Sequence, residues 1–176
     1  YQVGGSGLLR DMLPGLQPTV RDLAMLMIVV SDNSATNMLL DRIGGPAVVT
    51  AAMQALDLPS IVVNRRLVFS AAPRGPVAVA APQDLMRLAA MMMEGQLVST
   101  DASREIREIM VRQRYHDEFP RYLALQPYAP DNEQPQALRV LNKTGANGGL
   151  RADVGVLQIG DERSIAYSVV CDTGPD

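Results

Sequence analysis

Residues 137–171 read ALRVLNKTGANGGLRADVGVLQIGDERSIAYSVVC. Three short apolar stretches stand out in them: Ala137 to Asn142, Ala152 to Ile159 and Ile165 to Cys171. Their length and β-branched content predict strands. Gly145–Gly149 and Gly160-Asp161-Glu162-Arg163 lie between them and supply turns, so two consecutive antiparallel hairpins are expected. Upstream the hydrophobic period is helical. Helices first and a meander last predict an α+β fold, with the helices segregated from an antiparallel sheet. The expected organisation is one compact two-lobed domain. Residues 1–136 form a mainly helical region with a long loop at 58–81, and residues 137–176 form the three strands. Three strands are thin for an independent sheet, so further strands or a covering helix are expected outside this stretch.

Outward from the meander, the first 18 residues are punctuated by Gly4, Gly5, Gly7, Pro14, Gly15 and Pro18 and read as loop. Thr19 is an N-cap candidate, with Asp22 completing a capping-box variant for a helix over Val20–Val30. Ser31-Asp32-Asn33 interrupts it. A second helix runs from Ala35 to Ile43 and stops at Gly44-Gly45, and Pro46 opens a third to about Leu56. Residues 58–81 lack periodicity and are expected to hold one short strand near Leu67–Phe69. Loops of that length are usually functional. Pro82 opens a helix to about Glu94. Thr100 caps another over Asp101–Arg112, with Ile106, Ile109 and Met110 inward. There is no internal repeat.

The 176 residues carry 16 Lys+Arg against 19 Asp+Glu and a net charge of −3, a balance that argues against a general nucleic-acid binder. One Cys excludes an intrachain disulfide and a cysteine zinc cluster, and one His excludes a His-rich metal site. No metal or organic cofactor is expected. The longest apolar run, Leu23 to Val30, is far short of a membrane span. The sequence starts at Tyr1 rather than Met and ends just after a strand, so it reads as truncated at both ends.

Two tripeptides carry chemistry. Lys143 in Lys143-Thr144-Gly145 is the sole lysine; every other cationic side chain is Arg. Lys, unlike Arg, has a pKa that its surroundings can move. Ser31-Asp32-Asn33 sits at a helix break, where Ser31 and Asn33 can offer a hydroxyl and an amide to a cleft while Asp32 braces the loop. All three are also ordinary caps and turn formers.

In this order and on these elements, S-D-N and K-T-G resemble two of the three motifs of class A β-lactamases and the penicillin-recognising serine hydrolases. The stretches Pro18–Ala24, Ser31–Asn37 and Leu39–Gly45 resemble that family's helical segment, and Lys143 onward resembles its third to fifth strands. The resemblance implies a β-lactamase/transpeptidase-like fold and an acyl-enzyme mechanism on a small β-lactam or peptide-like substrate. It implies roles residue by residue. Ser31 relays a proton to the leaving nitrogen. Asn33 hydrogen-bonds the substrate's acyl-amide side chain. Lys143 sets positive potential against the substrate carboxylate and orients Ser31, while Thr144 in Lys143-Thr144-Gly145 bonds that carboxylate. The Ala146 N–H is an oxyanion-hole donor, and Arg151 is a second carboxylate-binding cation, unless it pairs structurally with Asp153. A periplasmic or extracellular location is implied in the same way.

Two features depart from the family pattern. No Ser is followed three residues later by Lys, so the S-x-x-K nucleophile is expected upstream of Tyr1. From Leu58 to Gln83 there is no Asp or Glu, so the loop after S-D-N offers no base to activate a deacylating water. The expectation is a β-lactamase-related serine hydrolase with doubtful deacylation. The alternatives are a slow-turnover penicillin-binding protein, or a catalytically inactive module recognising a peptidoglycan-like peptide or a protein partner. Arg65, Arg66 and Arg74 make the loop basic. His116 is expected at the surface or at a helix cap, Met91–Met93 as core filling, and Cys171 as a small core residue.

Overall fold

The computed structural model describes residues 3–68, 75–123, 138–160, 162–172 and 174. The chain divides into two compact units, Tyr1–Asp84 and Leu85–Asp176.

The first unit opens with an irregular segment containing a single 3-10 turn, Leu9–Asp11. Helix α1 spans Val20–Val29, with the expected capping box: the Thr19 hydroxyl accepts from the Asp22 N–H, and the Asp22 carboxylate accepts from the Thr19 N–H. Helix α2 (Asn33–Arg42) packs on α1, and Gly44 and Gly45, both at positive φ, close it and turn the chain into α3 (Pro46–Ala55). Among the described residues of this unit, Leu23, Val29, Ala35, Leu40, Leu58 and Ile61 are the buried apolar side chains.

The long loop differs from expectation. Leu67 and Val68 are not in a strand, and Phe69 lies outside the described residues. Instead, β1 (Val62–Val63) pairs antiparallel with β2 (Ala78–Val79), and β1 packs against α3. The Thr50 side chain of α3 fixes β1, accepting from the Val63 N–H at 3.0 Å and donating to its carbonyl at 3.3 Å.

The second unit contains α4 (Pro82–Met93, its first turn in the preceding unit), α5 (Thr100–Met110), a 3-10 turn at Phe119–Tyr122, and the sheet. Helix α5 is capped by Ser99, not Thr100: the Ser99 hydroxyl accepts from the Ala102 N–H. The helix stops at Met110, and Ser103, Ile109 and Met110 are its buried residues, while Ile106 is half-buried. Met92 is buried as a core residue.

Strands β3 (Leu138–Asn147), β4 (Leu150–Ile159) and β5 (Arg163–Asp172) form an antiparallel sheet in that order, with α5 packed on β3. Ala137, the expected start of the first strand, lies outside the described residues. Strand β3 runs further than expected, through Lys143-Thr144-Gly145-Ala146-Asn147, and the turn is only Gly148-Gly149. Both turn residues have positive φ, +47° and +82°, which suits the twist of a two-residue hairpin. Cys171 is exposed rather than in the core. It lies near the end of β5, an edge of the described three-stranded sheet, where Val169 and Val170 are exposed as well.

Candidate functional site

The S-D-N junction is built around a buried carboxylate. Asp32 is only 1 % exposed. Its Oδ1 accepts from the Ala35 N–H at 2.8 Å, capping α2. Its Oδ2 accepts from the Leu8 and Leu9 N–H groups at 2.6 and 2.8 Å. The two following side chains hold the same opening segment: Asn33 Nδ2 donates to the Gly4 carbonyl at 2.8 Å, and the Ser34 hydroxyl accepts from the Val3 N–H at 3.1 Å. Gly7 lies so close that a Cβ there would overlap the Asp32 carboxyl, and its φ of +114° is itself glycine-like. Asp32 thus braces the junction, as its residue type suggested.

That brace holds Ser31 at φ +53°, a conformation sparsely populated by non-glycine residues. Ser31 is half-buried, one residue before the N-cap of α2. The Asn33 amide, expected to face a substrate, has one donor committed to the Gly4 carbonyl.

The loop after S-D-N is tied to α2. Asn37 clamps Leu67 with two hydrogen bonds, its Nδ2 donating to the Leu67 carbonyl at 2.8 Å and its Oδ1 accepting from the Leu67 N–H at 3.0 Å. Arg66 forms an ion pair with Asp41, and Arg65 donates to the carbonyls of Gly75 and Arg66. These arginines therefore stitch the loop. Arg74 lies outside the described residues. The first carboxylate after Leu58, Asp84, is buried and accepts from the N–H and hydroxyl of Ser60, at 3.0 and 2.7 Å. The clamp by Asn37 escaped the sequence reading, because an Asn four residues after Asn33 resembles any polar helix residue.

The second set of candidate residues lies on the β3–β4 hairpin. The register sets Lys143 opposite Val154, Thr144 opposite Asp153, Gly145 opposite Ala152 and Ala146 opposite Arg151. Alternation places Thr144, Ala146, Arg151 and Asp153 on one face of the pleat and Lys143 and Gly145 on the other. Lys143 shares its face with buried Leu141 and Val156. Burial lowers its pKa to about 8, against an opposing pull from the Asp153 charge, and its ammonium donates to the Thr144 carbonyl. Gly145 and Ala146 are exposed. Arg151 Nε stands 3.8 Å from a Glu118 carboxylate oxygen, so its salt partner is Glu118.

On the Thr144 face lies a polar network that sequence reasoning missed. Asp153 is 2 % exposed and accepts from Asn142 Nδ2 at 3.0 and 3.2 Å, from the Tyr167 hydroxyl at 3.0 Å and from the Phe119 N–H. Gln113 extends it, donating to the Asn142 carbonyl while accepting from the Arg114 and Tyr115 N–H groups. The Phe119 ring covers Tyr167, with centroids 4.3 Å apart. His116 lies in this covering segment. It is half-buried, with both ring nitrogens enclosed and unpartnered among the described residues, rather than at the surface or a helix cap. Burial lowers its pKa, with the Arg114 charge acting in the same direction. Among the described residues no cluster of His, Cys, Asp or Glu could hold a metal, and no helix is long and apolar enough to cross a membrane.

A helical unit with a braced Ser-Asp-Asn junction and an antiparallel sheet carrying Lys-Thr-Gly on its edge strand have the make-up of the β-lactamase/transpeptidase-like fold. The chain belongs to the β-lactamase enzyme family, whose model matches residues 1–176. Beta-lactamase L2 of Stenotrophomonas maltophilia is 31% identical over 154 residues, which is 81% of this chain and 45% of that protein. The crystal structure of a β-lactamase from Sphaerobacter thermophilus superposes with a TM-score of 0.84 at 27% identity, covering 99% of this chain and 62% of that one. PBP-A superposes with a TM-score of 0.82 at 25% identity, over 99% of this chain and 60% of its own. The chain thus spans under half the length of the curated relative.

Proposed function

We propose that this chain supplies the substrate-binding wall of a serine hydrolase that is acylated by β-lactams or related amides and releases the acyl group slowly. The observation that carries this reading is a loop with no carboxylate from Leu58 to Gln83, in a β-lactamase-family chain that has both S-D-N and K-T-G. In this reading Lys143 and Arg151 attract the substrate carboxylate, Thr144 hydrogen-bonds it, and the exposed Ala146 N–H serves the oxyanion. Ser31 passes a proton to the leaving nitrogen and Asn33 receives the acyl-amide side chain. A lysine with a pKa near 8 supports a role in proton handling as well as charge. Hydrolysis of the acyl-enzyme needs a carboxylate or an equivalent base beside the attacking water. Two of the acidic side chains around that loop are engaged, Asp41 with Arg66 and Asp84 with Ser60. The nucleophile itself is not among these residues, because S-x-x-K needs a second lysine. A periplasmic or extracellular location goes with this reading.

Labelling with a fluorescent penicillin tests this in a protein that joins this chain to an S-x-x-K segment. A covalent label that survives for minutes or longer is expected. Clearance within seconds would show that a deacylating base exists. Absence of any label would remove the hydrolase reading and favour a binding module that uses the same wall.

A further inference from the structure

Asp153 is a buried carboxylate to which the roles above assign nothing. It lies directly across the ladder from Thr144, on the opposite face of the sheet from Lys143. Three groups from three segments converge on it: the Asn142 amide from β3, the Tyr167 hydroxyl from β5 and the Phe119 N–H from the 3-10 turn. All are donors, and an ionised carboxylate is purely an acceptor, so the set fits the charged form. No cation forms an ion pair with Asp153 among the described residues. Arg151, two residues away, is turned to Glu118. Hydrogen bonds stabilise the charge without cancelling it, and its field reaches across the strand through a poorly screening interior.

Lys143 faces the opposite problem. Its side chain is half-buried on the face that carries buried Leu141 and Val156, which disfavours the ammonium. Resting on the function proposed above, we propose that Asp153 is a positioning residue for Lys143: fixed by Asn142, Tyr167 and the Phe119 N–H, it aligns the Lys-Thr-Gly strand and supplies the negative potential that holds the Lys143 ammonium in its charged form for an anionic substrate. The alignment works through Asn142, the residue before Lys143, whose amide is bound by both Asp153 oxygens. The charge works across the strand, where the Asp153 carboxylate opposes the effect of burial on Lys143. Glu118 faces Asp153 and disfavours its ionisation. Tyr167 stays protonated, its pKa raised by burial and by Asp153. On α5, which packs on β3, Arg107 donates to the Met92 and Met93 carbonyls and Arg104 pairs with Asp101.

The test is an NMR titration of lysine ¹³Cε in the intact protein, with the Lys143 signal identified by its loss in Lys143→Arg. Residues 1–176 contain no other lysine. Asp153→Asn should lower the Lys143 midpoint by about half a pH unit or more. Tyr167→Phe loosens the network but keeps the carboxylate, and should leave that midpoint in place. Equal shifts in both variants would reduce Asp153 to a structural tie, and no shift in Asp153→Asn would remove the proposal. Should Asp153→Asn fail to fold, the wild-type protein still decides. Its Lys143 signal should show a second, smaller step where Asp153 titrates, above the ordinary carboxylate value of 3.8. A flat baseline there would overturn the coupling. The titration needs no substrate, so failure of penicillin labelling and failure of this coupling are read separately.

Discussion

Asp32 concentrates more hydrogen bonding than any other part of the S-D-N junction. It caps one helix and holds two backbone N–H groups of a segment more than twenty residues away. Asp32→Ala leaves three donors without their acceptor, one buried and two partly buried. A loss of about 3 kcal/mol or more is expected from the denaturation midpoint, beyond that of a simple cap deletion. Lys143 makes a second residue-level prediction. Between its folded value near 8 and its ordinary value of 10.5, the unfolded chain holds a proton that the folded chain has released. Raising the pH through that window therefore favours folding. Denaturant midpoints at pH 8 and pH 10 should show this gain in the wild type and its absence in Lys143→Met. The capping box at Thr19 and Asp22 was legible because the sequence separation alone determines it. The cap of α5 was misread because Ser99 and Thr100 are adjacent hydroxyl residues, and only backbone geometry chooses between them. Asp153 was invisible as the hub of a network because its partners, Asn142, Tyr167 and Phe119, meet only through tertiary packing.

At the scale of elements, the helices α1 to α5 and the meander follow from periodicity and turn residues, to within a few residues at their ends. The main difference is instructive. Lys143-Thr144-Gly145 reads as a strand end because Gly145 suggests a turn. In the ladder it pairs with Ala152 and extends the strand, leaving Gly148-Gly149 to turn the chain. The strands β1 and β2 escaped prediction because two residues carry no detectable alternation. The loop that contains them is held to α2 largely through Asn37. In Asn37→Ala, hydrogen exchange at the Leu67 amide should accelerate about tenfold or more, while amides inside α2 keep their protection. Unchanged exchange at Leu67 would show that the loop is fixed by the Arg66–Asp41 pair and the β1–β2 ladder instead.

At the scale of the whole molecule, the family was legible from two tripeptides in order, and the match over residues 1–176 bears that out. In the protein that joins this chain to an S-x-x-K segment, Lys143→Ala should slow penicillin acylation by about a hundredfold or more, measured as the rate of label uptake. An unchanged rate would strip Lys143 of its proposed role. The sheet carries one last consequence. The outer side of β5 has no ladder partner among the described strands, and Ile165, Val169 and Val170 are all substantially exposed. An open edge of ten residues with apolar flanks is a template for intermolecular strand pairing. Overexpressed by itself, the 176-residue chain should accumulate in inclusion bodies or soluble aggregates, and Val169→Lys should shift it toward monomers in size-exclusion chromatography.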